Sequence, residues 1–131
     1  MTTKQAREIL PPSVPMHDAV RQWGNVGGLV AGLYSGDISL VGRAMQDLVA
    51  EPYRKQFIPG FDELREKLLG AGALAMNIAG SGPSVFAVAD RFGIAAQAGK
   101  IMKEHFGSRG IDYEVFVVKV SNKGAKILDE G

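Results

Sequence analysis

The sequence has no cysteine, no long apolar run and almost no excess of charge of either sign. Without cysteine there is no disulfide framework, thiolate metal site or cysteine nucleophile. No run reaches the ~18 apolar residues of a membrane span, and the opening residues MTTKQ are too polar for a secretory signal. Lys and Arg number 15 against 14 Asp and Glu, a net charge of +1 without a basic block. We therefore expect a soluble, cytoplasmic protein that binds neither nucleic acid nor membrane.

Histidine is scarce as well, since only His17 and His105 occur. Neither belongs to an HxxxH or HxH pair, and no carboxylate cluster has ligand spacing, so we predict no metal site. The chain is 46% hydrophobic and 22% charged over 131 residues. Those values are typical of one globular domain with a core of its own, and we treat residues 1–131 as a single domain.

The central stretch runs from Ala73 to Asp90, ALAMNIAGSGPSVFAVAD. Its two arms alternate with the period of 2 expected of β-strands, and they flank the glycine-rich loop Gly80–Ser84. Glycines on both sides of a serine allow positive φ and bring backbone N–H groups close to a ligand, which anion-binding loops require. The alternative is an ordinary hairpin turn built from turn-forming residues.

The rest of the chain reads as helices before the hairpin, then a helix and a strand. Before the hairpin, the predicted elements are a capped helix from Thr2 or Thr3 to Leu10, a helix from His17 to Tyr34, a helix after Asp37 that carries Leu40 to Val49 and is interrupted by Glu51–Arg54, and a helix at Phe61–Gly70. After the hairpin, they are a helix at Arg91–Phe106, a strand at Tyr113–Val120 and a polar tail at Lys123–Gly131. This order indicates an α+β fold.

Three glycines fall on one stripe of the second predicted helix: Gly24, Gly28 and Gly32. Because a glycine inside a helix costs about 1 kcal/mol relative to alanine, a row at this spacing predicts a second element packed close to that face. Two charged stretches, Glu63 to Lys67 and Lys119 to Lys126, are interpreted as solvated faces.

Four stretches carry a resemblance to a known family. Residues 78–86, IAGSGPSVF, resemble the third sequence motif of the GHMP superfamily of small-molecule kinases. The segments TKQAREILP (3–11), EPYR (51–54) and IPGF (58–61) resemble homoserine kinases, in the order which that family shows. The resemblance covers nearly the whole chain. It implies a ferredoxin-like plait of the GHMP kinase C-terminal type, with additional helices before the central hairpin.

The resemblance also implies roles for individual residues. Arg7 and Arg54 would bind the carboxylate of L-homoserine, a task suited to the planar guanidinium fork. Thr3 would place a hydroxyl near the reacting oxygen or the phosphate. The phosphate loop would consist of Gly80, Ser81, Gly82 and Ser84. The alternatives are salt bridges for the arginines, helix capping for Thr3 and turn formation for the loop. Helix capping by Thr3 can coexist with its role near the reacting oxygen or the phosphate.

The implied activity is ATP-dependent phosphorylation of L-homoserine to O-phospho-L-homoserine in threonine biosynthesis. In these kinases ATP and Mg²⁺ are held mainly by an N-terminal domain with a PxxxGLGSSAA-like loop, and no such loop occurs here. We therefore expect this chain to be the C-terminal domain of a two-domain kinase, inactive alone. The rival hypothesis is a non-catalytic ferredoxin-like module that binds an amino acid or dimerises.

A ferredoxin-like sheet has four strands, and the sequence shows three strand-like stretches. The missing strand would be the first, between the hairpin and the last strand. Its absence leaves two rows of unpaired backbone groups. We expect either that the last strand moves over to the hairpin or that two copies associate as a homodimer.

Overall fold

The structure is a computed structural model that describes residues 2–125 and 127. In chain order its elements are α1 (Thr3–Glu8), α2 (Met16–Ser35), α3 (Ile38–Ala44), α4 (Glu51–Arg54), a 3₁₀ turn (Lys55–Phe57), α5 (Phe61–Gly70), β1 (Ala75–Ile78), β2 (Val85–Val88) and α6 (Phe92–Gly107). The fold is α+β. None of the helices in the described part is long and apolar enough to cross a membrane.

Helix α1 begins with the predicted capping box. The Thr2 hydroxyl accepts a hydrogen bond from the Gln5 N–H at 3.2 Å, and the Gln5 side chain accepts one from the Thr2 N–H at 2.8 Å. These two bonds satisfy N–H groups that the first turn of a helix leaves without partners. Because Thr2 is the cap, the hydroxyl of Thr3 is not used for capping.

The turn between α2 and α3 has the conformation that its local sequence predicts. Gly36 ends α2 in the left-handed region with φ +75°, and the side chain of Asp37 accepts a hydrogen bond from Leu40 N–H at 2.9 Å. A glycine at this position avoids the steric cost that a Cβ would impose. The prediction that Gly36 stops one helix and Asp37 caps the next is confirmed.

Two of the three striped glycines pack against α3. A Cβ added to Gly28 would lie 3.3 Å from the Cβ of Ala44, and one added to Gly32 would lie 3.0 Å from the backbone nitrogen of Val41. Within the described part of the chain, a Cβ added to Gly24 would have no atom within 4 Å. The predicted close packing is therefore correct for Gly28 and Gly32 and wrong for Gly24, which lies beyond the N-terminal end of the contact.

The large apolar side chains of α2 are not in the core. Leu29 is half-buried, and the others are more than half exposed: Met16, Val20, Trp23, Val26, Val30, Leu33 and Tyr34. The glycine stripe, rather than this apolar face, meets the neighbouring helix. A large apolar face on a described helix is thus left uncovered.

The predicted continuation of α3 to Val49 is wrong, because α3 ends at Ala44. The carboxylate of Asp47 accepts hydrogen bonds from the N–H groups of Val49, Ala50 and Glu51, which opens a new helix instead. The Glu51–Arg54 segment is not an interruption but the helix α4. Proline suits its second position, since the first turn of a helix needs no N–H from that residue.

The hairpin and two helices form the main core. Strands β1 and β2 pair antiparallel, with Ala75 opposite Val88 at one end and Ile78 opposite Val85 at the other. Helix α5 packs on β1 and α6 packs on β2. The largest fully buried side chains are Leu64, Leu68 and Met76.

The segment predicted as the last strand, 113–120, is not part of the sheet, which has two strands within the described residues. Its backbone groups bond to no other backbone group in that part of the chain. A groove of about 740 Å³ separates β2 from residues 111–118, and Ala98, Gly99 and Met102 of α6 line it. The expected shift of this segment onto the hairpin is therefore not seen. The predicted tail lies partly outside the described residues.

Candidate functional site

The loop between β1 and β2 has the geometry that its glycines indicate. Gly80 has φ +58° and Gly82 has φ +81°, both in the left-handed region that side chains disfavour. Two backbone bonds close the loop, from Gly82 N–H to the Ala79 carbonyl at 3.1 Å and from Ala79 N–H to the Ser84 carbonyl at 2.8 Å. A Cβ on Gly80 would meet no atom of the described residues within 4 Å, so that part of the chain leaves the loop open to approach there.

Several donors of this loop remain available. Within residues 2–125 and 127, the N–H groups of Gly80, Ser81 and Ser84 have no protein acceptor. The hydroxyl of Ser81 reaches only the Gly82 carbonyl, at a long 3.5 Å, and Ser84 is exposed. Backbone N–H groups and hydroxyls turned to an open side can bind an oxyanion.

Arg54 joins the loop to the first helix. Its Nε donates to the carbonyl of Ala6 in α1 at 3.1 Å, and its Nη1 donates to the carbonyl of Gly80 at 3.2 Å. Arg54 itself ends α4 and is half-buried. The salt bridge considered as an alternative is not found for Arg54 among the described residues. Its Nη2 has no protein acceptor there, so one edge of the guanidinium is available to a ligand.

Thr3 and Arg7 lie one turn apart on α1 and are exposed. Residues four apart in a helix share a face, as the spacing predicts. Ala6, the neighbour of Arg7, is fully buried and supplies the carbonyl that Arg54 binds. In the part of the chain that the structure describes, the guanidinium of Arg7 makes no hydrogen bond or ion pair. The structure thus brings α1, α4 and the glycine loop together around Arg54.

Three further residues support this arrangement, and the sequence analysis missed them. Arg65 of α5 binds both carboxylate oxygens of Glu51, and Asp47 binds the N–H groups that open α4. Interpreting Glu63 to Lys67 as a solvated face was wrong for Arg65, whose guanidinium is largely covered. An arginine next to buried Leu64 on an amphipathic helix was the one signal that could have found it.

The described residues contain no cluster of three or more His, Asp or Glu side chains that could hold a metal ion. His105 is buried in the core, where its Nε2 lies 3.0 Å from the Pro59 carbonyl. The groove beside β2 touches the loop only at Pro83 and Ser84, and its lining is mostly apolar, with Asp112 and Glu114 as the charged residues. It does not include Arg54.

The fold and the loop define a class of protein. Residues 29–108 match the profile of the family described as GHMP kinases C terminal. The match covers more than half of the chain, and the chain belongs to this family. This confirms the resemblance that the IAGSGPSVF segment carries.

Individual relatives narrow the comparison. The chain is 47% identical over 130 residues to a homoserine kinase of Chlorobium phaeovibrioides, covering 98% of this chain and 41% of that protein. It is 44% identical over 124 residues to a homoserine kinase of Pyrococcus abyssi, covering 95% of this chain and 41% of that protein. A crystal structure of homoserine kinase from Cytophaga hutchinsonii superposes with a TM-score of 0.88 and 49% identity, covering 92% of this chain and 38% of that one. This chain therefore spans about two fifths of the length of these relatives.

Proposed function

We propose that this chain is the C-terminal, substrate-side domain of a cytoplasmic, ATP-dependent homoserine kinase, which phosphorylates L-homoserine to O-phospho-L-homoserine in threonine biosynthesis. One observation carries the proposal. The guanidinium of Arg54 binds both the helix that presents Arg7 and the loop that offers donors to an oxyanion. In this proposal the arginine assigned to the substrate carboxylate lies beside the loop assigned to the phosphate. The similarity to homoserine kinases along nearly the whole chain supports the choice of substrate.

Each proposed site residue has a physical task. Arg7, open to solvent, and the unused Nη2 edge of Arg54 bind the substrate carboxylate by charge-assisted hydrogen bonds. This fixes how far the side-chain hydroxyl of homoserine reaches. Thr3, on the same face of α1 as Arg7, hydrogen-bonds near that hydroxyl. Phosphoryl transfer depends on such positioning and on neutralisation of charge.

ATP supplies the phosphoryl group in this proposal. The N–H groups and hydroxyls of Gly80, Ser81 and Ser84 fit a phosphate, with Gly82 shaping the turn. We assign no Mg²⁺ ligand to this chain. The remaining ATP and Mg²⁺ contacts come from an N-terminal ATP-binding domain, which is the other part of the proposal and accounts for the additional length of the relatives.

We further propose that the sheet is completed to a ferredoxin-like plait in the longer kinase. The groove between β2 and residues 111–118 supports this, because both of its walls present backbone groups without backbone partners in the described part. A homodimer is proposed as well, and it is supported by the exposed apolar face of α2.

A chimaera tests the proposed activity. The region of the Cytophaga hutchinsonii homoserine kinase that superposes on this chain is replaced by this chain, and ATP-dependent formation of phosphohomoserine is measured. We expect activity. Arg7→Ala and Arg54→Ala should each raise the KM for homoserine more than the KM for ATP. Loss of either arginine should weaken the binding of homoserine by about 2 to 4 kcal/mol.

The matched control is Arg21→Ala, which removes an exposed arginine of α2 and should leave both KM values unchanged. Wild-type KM for homoserine in both Arg7→Ala and Arg54→Ala would contradict the assigned roles. A folded chimaera that binds homoserine without turnover would favour the non-catalytic amino-acid-binding module.

A further inference from the structure

Glu51 is a buried carboxylate at the start of α4, with 8% of its surface exposed. Arg65 of α5 binds it as a fork, with Nη1 donating to Oε1 at 2.7 Å and Nη2 donating to Oε2. Two parallel charge-assisted bonds fix the relative orientation of both side chains. The first residue of α4 is therefore held firmly against α5.

Arg65 is also bound on its other sides. Its Nη2 donates to the Met76 carbonyl in β1 at 2.9 Å, and its guanidinium carbon lies 4.7 Å from the ring centre of buried Phe61. Met76 is fully buried and precedes Gly80 by four residues. One guanidinium therefore ties the start of α4 to the strand that leads into the glycine loop.

Asp47, which precedes α4 in the chain, also anchors the N-terminal end of this helix. Its Oδ1 accepts hydrogen bonds from Val49 and Ala50 N–H, both at 2.8 Å, and its Oδ2 accepts one from Glu51 N–H at 3.1 Å. A helix of four residues is too short to be stable alone, so its direction depends on such anchors. The direction of α4 in turn fixes the position of Arg54 at its C-terminal end.

We propose that the Glu51–Arg65 pair, with Asp47, is a positioning device that aims Arg54 at the carbonyls of Ala6 and Gly80. Arg65 fixes the distance between Glu51, at the start of α4, and Met76 in β1, the strand that leads into the loop. Arg54, at the end of α4, bonds to the loop itself. A buried ion pair pays a desolvation cost that often cancels its gain in stability. Its structural effect here is to fix geometry, and this inference rests on the proposed function of Arg54.

The test uses the chimaeric kinase with Arg65→Lys, Arg65→Met and Glu51→Gln. We expect the KM for homoserine to rise about tenfold to hundredfold, since small misplacement of a positioning group has effects of that order. The KM for ATP should change less. Arg65→Lys should recover only part of the loss, because an ammonium cannot form the fork.

Lys67→Met is the matched control on the same helix. Lys67 makes an exposed ion pair with Glu63, and its hydrogen bond, together with the nearby Arg109, holds the pKa of the Glu63 carboxyl below its usual range. Removing an exposed pair should leave both KM values and the melting temperature nearly unchanged.

A second readout does not depend on activity. In the 131-residue chain, the Nε–H of Arg54 should give a slowly exchanging NMR signal, because it donates to the Ala6 carbonyl. Arg65→Lys and Glu51→Gln should speed that exchange, whereas Lys67→Met should not. If the wild-type chimaera lacks activity, the proposed function fails and this signal still decides the positioning role. Variants that melt earlier while keeping both the Arg54 signal and the KM for homoserine would overturn it.

Discussion

Arg7 and Arg54 differ in how many of their donors the chain itself already uses. Arg54 donates hydrogen bonds from its Nε and Nη1 to backbone carbonyls, whereas the Arg7 guanidinium has no protein partner among the described residues. A guanidinium has five N–H donors, so Arg54 can hold the loop and still bind a ligand through Nη2. This double role makes Arg54 the residue whose exact placement matters most to the proposed site.

Gly80 gives a residue-scale prediction about the loop. Gly80→Val places a β-branched side chain at φ +58°, which strains the backbone by about 1 to 2 kcal/mol, and it fills the open side of the loop. We expect the chimaeric kinase to lose its activity. The assay is phosphohomoserine formation at saturating ATP, with the melting temperature measured alongside.

Gly110→Val is the control, because Gly110 also has positive φ and open space but follows α6, outside the loop. It should cost similar stability and leave activity intact. Equal turnover in the two variants would mean that the Gly80 loop is an ordinary turn.

At the scale of the element, α2 is a helix whose packing face is made of glycine rather than of its large apolar residues. Gly32→Ala would place a Cβ 3.0 Å from the backbone of Val41, and that backbone cannot give way cheaply. We expect a loss of about 1 to 3 kcal/mol in the free energy of unfolding. Urea denaturation of the 131-residue chain measures it.

Gly24→Ala is the matched variant in the same helix. Its Cβ would meet none of the described atoms within 4 Å, so higher helix propensity should raise stability by about 0.5 to 1 kcal/mol. A Gly32→Ala chain as stable as the wild type would show that α2 and α3 do not pack as closely as described.

At the scale of the whole molecule, the proposal of a completed plait makes a prediction about backbone protection. In the 131-residue chain, amides of residues 113–118 should exchange rapidly with deuterium, because they have no backbone acceptor among residues 2–125 and 127. In the chimaera the same amides should be protected by a strand lying in the groove beside β2. The paired amides of β1 and β2 should be protected in both, which provides the internal control. Equal exchange of 113–118 in both proteins would refute the completed sheet.

Association through the open edges, the other expectation from the sequence, gives a different result. Protection of 113–118 would then appear in the 131-residue chain itself and would increase with protein concentration. Light scattering across the same concentrations would show the change in mass.

The sequence by itself determined the features that depend on neighbours within one helical turn. The capping box of Thr2 and Gln5 follows from side chains that bond three residues away, and the end of α2 at Gly36 follows from the positive φ that glycine allows. The bounds of α5 were also predicted from its sequence. The positive φ of Gly80 follows from the same local chemistry. The motif around this loop was also sufficient to indicate the family that the chain belongs to.

Only the tertiary structure decided which of these elements meet. Arg54 binds Ala6 across 48 residues of sequence and Gly80 across 26. Arg65 is half-buried and bound to Glu51 although its local pattern suggested a solvated face. The apolar face of α2 stays exposed, and 113–120 remains outside the sheet despite its strand-like composition. The physical reason is that a strand or an apolar face acquires its partner from distant parts of the chain, and local periodicity carries no information about which partner is present.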